Sequence, residues 1–146
     1  MKKNELKNKL VSIIVVNFNN SKFINQCIKS LQNQSYKNKE IIFVDNQSTD
    51  DSLDKIKLFK NINLIKNKRK YEYGSYNQLD CYYQGFLKSK GKIILFLDSD
   101  DFFKKNKIKK IVMKFKNNKN CKVLFDMPIN LIGKKKEYKK IKQKKF

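Results

Sequence analysis

The stretch "LVSIIVVNFNNSKFINQCIKSLQNQSYKNKEIIFVD", Leu10 to Asp45, decides how this chain folds. It opens on a continuously apolar run, Leu10–Val16. A polar turn, Asn17–Asn20, leads into a segment whose apolar residues are Phe23, Ile24, Cys27, Ile28 and Leu31. Their 3–4 spacing predicts an amphipathic helix over Ser21–Gln34, with Ser21 as its N-cap. A second apolar run, Glu40–Asp45, closes the unit. Neither run alternates with polar residues, so both read as strands covered on two faces. Strand, helix, strand in this order is a parallel β-α-β unit.

Outward from there the pattern repeats. Ile62–Ile65, Lys92–Asp98 and Cys121–Asp126 are further strand candidates. Helical stripes fall at Leu53, Ile56 and Phe59 within Asp50–Lys60, and at Leu79, Tyr83, Phe86 and Leu87 within Ser75–Lys90. A last stripe, Ile108, Ile111, Val112 and Phe115, lies within Lys104–Asn117. Asp50 is the expected N-cap of its segment. Five strands alternating with four helices predict an α/β fold, a mostly parallel sheet with helices on both faces. Residues 1–128 form the expected domain. Residues 129–146 form a basic tail, dense in Lys, that is expected to be poorly ordered or loosely helical.

The chain has 35 Lys plus Arg against 13 Asp plus Glu, a formal net charge of +22. That excess predicts attraction to polyanions. Its Lys, Asn, Ile, Phe and Tyr are all spelled by A/T-rich codons, so base composition is a competing origin for the charge. There is no histidine, which excludes Ser-His-Asp and Cys-His chemistry and His-ligated metals from these residues. Cys27, Cys81 and Cys121 form no CxxC pair and read as reduced core thiols of a cytosolic protein. No apolar run reaches the length of a membrane span. The opening "MKKNELKNKLVSIIVV" imitates a signal peptide but is followed by no small-residue cleavage site.

In an open parallel sheet, ligands bind beyond the carboxyl ends of the strands. Three polar clusters fall there: "NFNN" (Asn17–Asn20), "DNQSTDD" (Asp45–Asp51) and "DSDD" (Asp98–Asp101). The last packs three carboxylates together. At roughly 5 Å and an effective dielectric near 20, each pair costs about 3 kcal/mol, which a divalent cation would offset. The usual phosphate loops, GxxxxGK[ST] and GxGxxG, are missing. A bound nucleotide would therefore need Mg²⁺ or Mn²⁺ on one or two carboxylates, completed by water and diphosphate oxygens. Each acidic turn has a plain structural reading beside this one. Asp45 would serve a turn, Asp50 a cap, and Asp101 or Asn106 the cap of the following helix. An EF-hand is excluded, because no Gly and no later Glu stand at the required offsets.

Val11–Ile56 resembles the opening of family 2 glycosyltransferases, which have the GT-A fold. The shared features are an apolar strand, an aromatic-Asn turn, a helix ending near Gln34, an acidic Glu40, and a strand into Asp-x-x-Ser-Thr-Asp. "GFLKSKGKIILFLDSDD" (Gly85–Asp101) resembles the stretch leading to that family's DxD. The resemblance covers residues 10 to about 126. It implies inverting sugar transfer from a nucleotide-diphosphate sugar, with a UDP-sugar expected. The acceptor would be a glycan or a lipid-linked molecule of surface polysaccharide or oligosaccharide synthesis. It implies nucleotide-sugar contacts at Val16, Asn17, Phe18, Asp45, Asn46, Asp98 and Ser99. Phe18 would lie beside the base, and Asp45 and Asn46 at the base and ribose end. Asp98 would approach ribose or metal, and Asp100 would be the principal ligand of Mn²⁺ or Mg²⁺.

Several positions depart from the family pattern. Asn46 and Gln47 stand where many members carry Asp and Gly. Cys81, Tyr82 and Tyr83 stand where many carry Ala-Arg-Asn, which removes a cation near the diphosphate. Lys68, Arg69 or Lys70 would substitute, or else form a solvated loop. The family's carboxylate base and acceptor half lie well downstream of the DxD, and after Asp101 only Asp126 and Glu137 remain. An inverting transfer needs such a base. The chain is thus expected to be the donor-binding portion, shortened naturally or cut from a longer parent. It is expected to work in the cytoplasm, with two readings of Lys134–Phe146: a solvated tail left by truncation, or a peripheral contact with anionic lipid at the inner membrane face. The competing class is a non-catalytic basic protein that binds nucleic acid or anionic membrane. Against it, the aromatics fall mainly on expected strands and core stripes, not on an open stacking platform, so no specific nucleic-acid partner is expected.

Overall fold

The computed structural model describes residues 9–118 and 120–125, together with the backbone of two short strands further on. The order is β1 (Val11–Asn17), α1 (Ser21–Gln32), β2 (Lys39–Asp45), α2 (Ser52–Lys57), β3 (Ile62–Lys66), α3 (Gly74–Lys88), β4 (Ile93–Asp98) and α4 (Lys107–Asn117). The sheet runs β3-β2-β1-β4, and every pairing in it is parallel. The chain steps outward from β1 to β3, then returns to place β4 on the other side of β1. The strand order therefore reverses between β1 and β4.

Because side chains alternate across a strand, the apolar runs feed two cores. Val11, Ile13, Val15, Ile41, Phe43, Leu95 and Leu97 face α1, α2 and α4, and pack with Ile24, Ile28, Leu31, Ile56, Ile108 and Ile111. Ile14, Val16, Ile42 and Val44 face α3 and meet Cys81. Each such buried side chain contributes about 1.5–3 kcal/mol. The fold is the expected α/β arrangement with helices on both faces of a parallel sheet.

The α3 stripe differs from expectation. Leu79, Tyr83, Phe86 and Leu87 are exposed, with Leu79 at 64%. The buried residues of α3 are Asp80, Cys81 and Gly85. The helix lies so close to the sheet that a Cβ on Gly85 would sit 2.4 Å from Ile14 Cγ2. Only a small-residue face fits there, and the bulky stripe turns outward. Tyr71, Tyr73 and Tyr76 are exposed too, so the expectation that the aromatics are mostly internal does not hold for α3 and the loop before it.

Cys121–Phe125 forms no strand. Val123 and Phe125 are exposed, and this segment does not join the free edge of β4; Cys121 is therefore only half-buried and not the expected core thiol, unlike Cys27 and Cys81. An apolar run becomes a strand only when an edge receives it, and that cannot be read locally. Of the basic tail, Lys135–Glu137 pairs antiparallel with Asn130–Ile132, so this part is extended rather than helical. Asp126 and residues 138–146 lie outside the described residues.

The cap assignments also shift. The first residue before α1 is Asn20, and Ser21 is its first helical residue. Of the two cap candidates for α4, Asn106 and not Asp101 stands at the N-cap, and its side chain makes no cap bond. The amide of Ile108 donates instead to Oε1 of Gln34 at 3.2 Å. Gln34 is fully buried, and its Nε2 donates to the carbonyls of Ser30 and Lys104. One side chain thus joins the end of α1 to the start of α4.

Candidate active site

The three polar clusters meet at the carboxyl ends of β1, β2 and β4. The register sets Asn17 opposite Asp45 and Val16 opposite Asp98. Between them opens a cleft of about 580 Å³, whose lining includes Val16, Phe18, Asn46, Lys70, Asp98 and Asp100. It lies where the strand order reverses, the usual ligand position in such sheets.

Of the eight nucleotide-sugar and metal contacts that the resemblance implies, five line this cleft: Val16, Phe18, Asn46, Asp98 and Asp100. Asn17, Asp45 and Ser99 lie behind it, each at most 1% exposed. Asn17 Nδ2 donates to Asp45 Oδ1 at 2.9 Å and to Ser48 Oγ at 2.9 Å. The other Asp45 oxygen accepts the Ser48 amide at 3.0 Å. Both carboxylate oxygens are therefore used to shape the turn after β2. Ser99 Oγ accepts from Asn20 Nδ2 at 3.1 Å, which ties the turn after β1 to the turn after β4. These three residues hold the walls, and their neighbours face the space.

Two turn residues adopt positive φ, Asn19 at 50° and Gln47 at 58°. Asn tolerates this region, and Asn19 Oδ1 accepts the amide of Thr49 at 2.8 Å. At Gln47 the conformation is one that Gly adopts without strain. Gln47 donates from Nε2 to the carbonyl of Arg69 at 2.8 Å and so ties two loops of the rim together.

The loop before α3 separates the three basic candidates. Arg69 pairs with the buried Asp80 at 3.2 Å. Lys70 lines the cleft. Its neighbours are fixed on both sides: Arg69 N donates to Asn67 Oδ1, and Tyr71 N donates to Asn77 Oδ1. Lys68 is exposed and is not among the residues lining the cleft.

Of the two carboxylates that line the cleft, Asp98 is the one held by side-chain donors. Its Oδ1 accepts from Gln78 Nε2 at 2.8 Å and from the Tyr82 hydroxyl. Burial raises the Tyr82 pKa well above its ordinary value, and the bond to Asp98 raises it further. Asp100 is exposed in the cleft. Asp101 titrates above the usual carboxylate range, through desolvation first and then through the charges of Asp100 and Asp98. The Cys27 thiol, buried beneath the acidic turn, is pushed up to about 12 by burial and then by Asp101, Asp100 and Asp98. Burial pushes Cys81 up to about 11. Neither thiol is a nucleophile at neutral pH.

Among the described residues, no three Cys, Asp or Glu side chains gather closely enough to cage a metal ion. Two hard carboxylates opening on one cleft do suit Mg²⁺ or Mn²⁺ when the ligand's own oxygens and water complete the coordination. No described helix is long and apolar enough to cross a membrane.

An acid-lined cleft at the strand-order reversal of an open parallel sheet is the usual ligand site of α/β folds, and comparison with known proteins narrows the class. The sequence model of glycosyl transferase family 2 matches residues 12–143, and the chain belongs to that family. It is 39% identical over 99 residues to the UDP-Glc:alpha-D-GlcNAc-diphosphoundecaprenol beta-1,3-glucosyltransferase WfaP of Escherichia coli, covering 68% of this chain and 38% of WfaP. The crystal structure of S. aureus TarS 1-349 superposes with a TM-score of 0.64 at 23% identity, over 73% of this chain and 32% of TarS 1-349. TarS has also been solved with UDP and with UDP-GlcNAc. The mannosyltransferase PcManGT from Pyrobaculum calidifontis, solved with GDP-Man and Mn²⁺, superposes at 0.58 with 17% identity, over 66% of this chain and 29% of PcManGT. At such identities the structural likeness shows the GT-A fold alone. The chain spans about a third of the length of these relatives.

Proposed function

We propose that the cleft binds a nucleotide-diphosphate sugar, with a UDP-sugar as donor, and that residues 1–128 are the donor-binding domain of an inverting glycosyltransferase. The observation that carries this reading is the opening of Asp98 and Asp100 onto one cleft, in a chain of family 2. Asp100, assisted by Asp98, is the proposed holder of Mn²⁺ or Mg²⁺. The cation supplies charge neutralisation as the nucleotide diphosphate departs. Lys70 is the one cationic residue among those lining the cleft, and it is the proposed partner of the ligand's anionic groups. Phe18, 55% exposed, offers a ring for the base. WfaP is named for a GlcNAc-diphosphoundecaprenol acceptor, which supports a lipid-linked acceptor here.

Asp98 and Asp100 are the only carboxylates among the lining residues. Both are assigned to the donor side, so the base for transfer is proposed to come from elsewhere. Calorimetry tests the reading. UDP should bind in the presence of Mn²⁺ and lose most of its affinity in EDTA. Asp100→Ala should remove the metal-dependent part. Equal affinity with and without EDTA would sink the metal-bridged site.

A second reading keeps some support. Exposed Tyr71, Tyr73 and Tyr76 follow Lys68, Arg69 and Lys70 in the sequence, and exposed aromatics interleaved with basic residues suit single-stranded nucleic acid. Binding of an oligonucleotide that survives about 0.5 M salt would favour it, because purely electrostatic contacts weaken steeply with salt.

A further inference from the structure

Tyr82 and Gln78 stand four residues apart on α3, one helical turn, and so share a face. Both donate to the same oxygen of Asp98, Oδ1. The other oxygen, Oδ2, has no protein partner among the described residues, while Asp98 as a whole lines the cleft. The Tyr82 ring is itself held edge-on by Phe96, with centroids 5.0 Å apart and planes at 78°. Phe96 and Asp98 project from the same side of β4, so ring and carboxylate are fixed to one surface. Strand β4 does not need this contact for its place in the sheet. Its backbone is paired with β1 from Ile93 to Asp98.

We propose that Tyr82 and Gln78 are positioning residues. By clamping Oδ1 they fix the torsion of Asp98 and present Oδ2 to the cation and ligand. A lone carboxylate at a strand end would turn between rotamers and lose entropy on binding. A carboxylate held by two donors has already lost it, and preorganisation of this kind appears as affinity. The clamp rests on the reading of the cleft as a metal-assisted nucleotide-diphosphate site.

The test is a double-mutant cycle on the full 146-residue chain, with UDP and Mn²⁺ as the probes. Tyr82→Phe keeps the ring against Phe96 and removes only the hydroxyl. It should weaken Mn²⁺-dependent UDP binding about tenfold, the scale of one hydrogen bond to a charged group. Residual UDP binding in EDTA should not change. On an Asp98→Ala background, Tyr82→Phe should have no further effect, which a merely structural role of the hydroxyl would not produce. Gln78→Leu, at an exposed position where folding is not at stake, should give a smaller loss of the same kind. If wild-type chain binds UDP with Mn²⁺ and Tyr82→Phe binds it equally well, the clamp is wrong and the donor site stands. An equal loss in EDTA, or a loss that persists without Asp98, overturns the clamp as well. If wild-type chain binds no UDP with Mn²⁺, the donor-site reading fails and the clamp fails with it.

Discussion

Asp50 accepts amides from the first residues of two different helices. Its Oδ2 takes the N–H of Ser21 at 3.0 Å, and its Oδ1 takes that of Ser52 at 3.0 Å. The expected cap of α2 is Asp50, but the residue at the cap position is Asp51, which makes no side-chain cap bond; Asp50 reaches the Ser52 amide from one residue further back. The bond from Ser21 links residues 29 apart and is invisible until β1 and β2 pair. Burial opposes the charged form of Asp50, but bonds from Ser52 and Ser21 outweigh it and hold the pKa below the usual carboxylate range. A depressed folded pKa contributes stability that is present above the unfolded value, about 3.9, and lost as pH falls through the folded value. Asp50→Ala should therefore cost about 1 kcal/mol at pH 7, as cap removals do. In urea titrations the gap to wild type should close as pH is lowered below about 4. A gap of unchanged size at pH 2 would mean that the carboxylate's charge is not the source.

At the scale of elements, α3 sets the geometry of the cleft, because it carries Asn77, Gln78 and Tyr82 while resting on β1 and β2. Its seat is Gly85. Alanine there has two opposed effects. Helix propensity favours it by about 1 kcal/mol. A Cβ 2.4 Å from Ile14 Cγ2 and 3.3 Å from Val44 Cγ2 forces the helix away from a fully buried core. Overpacking of this kind costs about 1–3 kcal/mol. The net should be a loss of about 1 kcal/mol in urea unfolding, with weaker UDP binding as Gln78 and Tyr82 move off Asp98. A stabilised Gly85→Ala would mean that Ile14 yields freely. The same helix shows what periodicity can and cannot reveal. The stripe Leu79, Tyr83, Phe86 and Leu87 was legible as a shared face. Which face meets the sheet was not, because that depends on how closely the backbone approaches. The strands were legible because each is apolar on both sides. α1 and α4 were legible because their bulky stripes are the ones that pack. In the site, the acidic and polar strand ends could be read as converging. The inward turn of Asn17, Asp45 and Ser99 could not, since it follows from hydrogen bonds between turns.

For the whole molecule, charge and cleft make separable claims. A formal +22 draws the chain to any anionic surface. Gly133–Phe146 contains eight Lys and one Glu, a net +7, so +15 remains without it. Each Lys near an anionic leaflet gains roughly 1 kcal/mol, and the gain fades within a Debye length. The chain should therefore pellet with anionic vesicles at low salt and stay in solution with neutral ones. At about 0.5 M salt, where the Debye length is near 4 Å, it should be released. Deleting Gly133–Phe146 should lower the salt concentration at which release occurs without abolishing binding, because about two thirds of the charge lies elsewhere. Metal-dependent UDP affinity should be unchanged, since the cleft residues run only from Val16 to Asp100. Complete loss of vesicle binding on deletion would instead identify the basic tail as a dedicated membrane contact. Loss of UDP affinity would mean that the tail reaches the cleft.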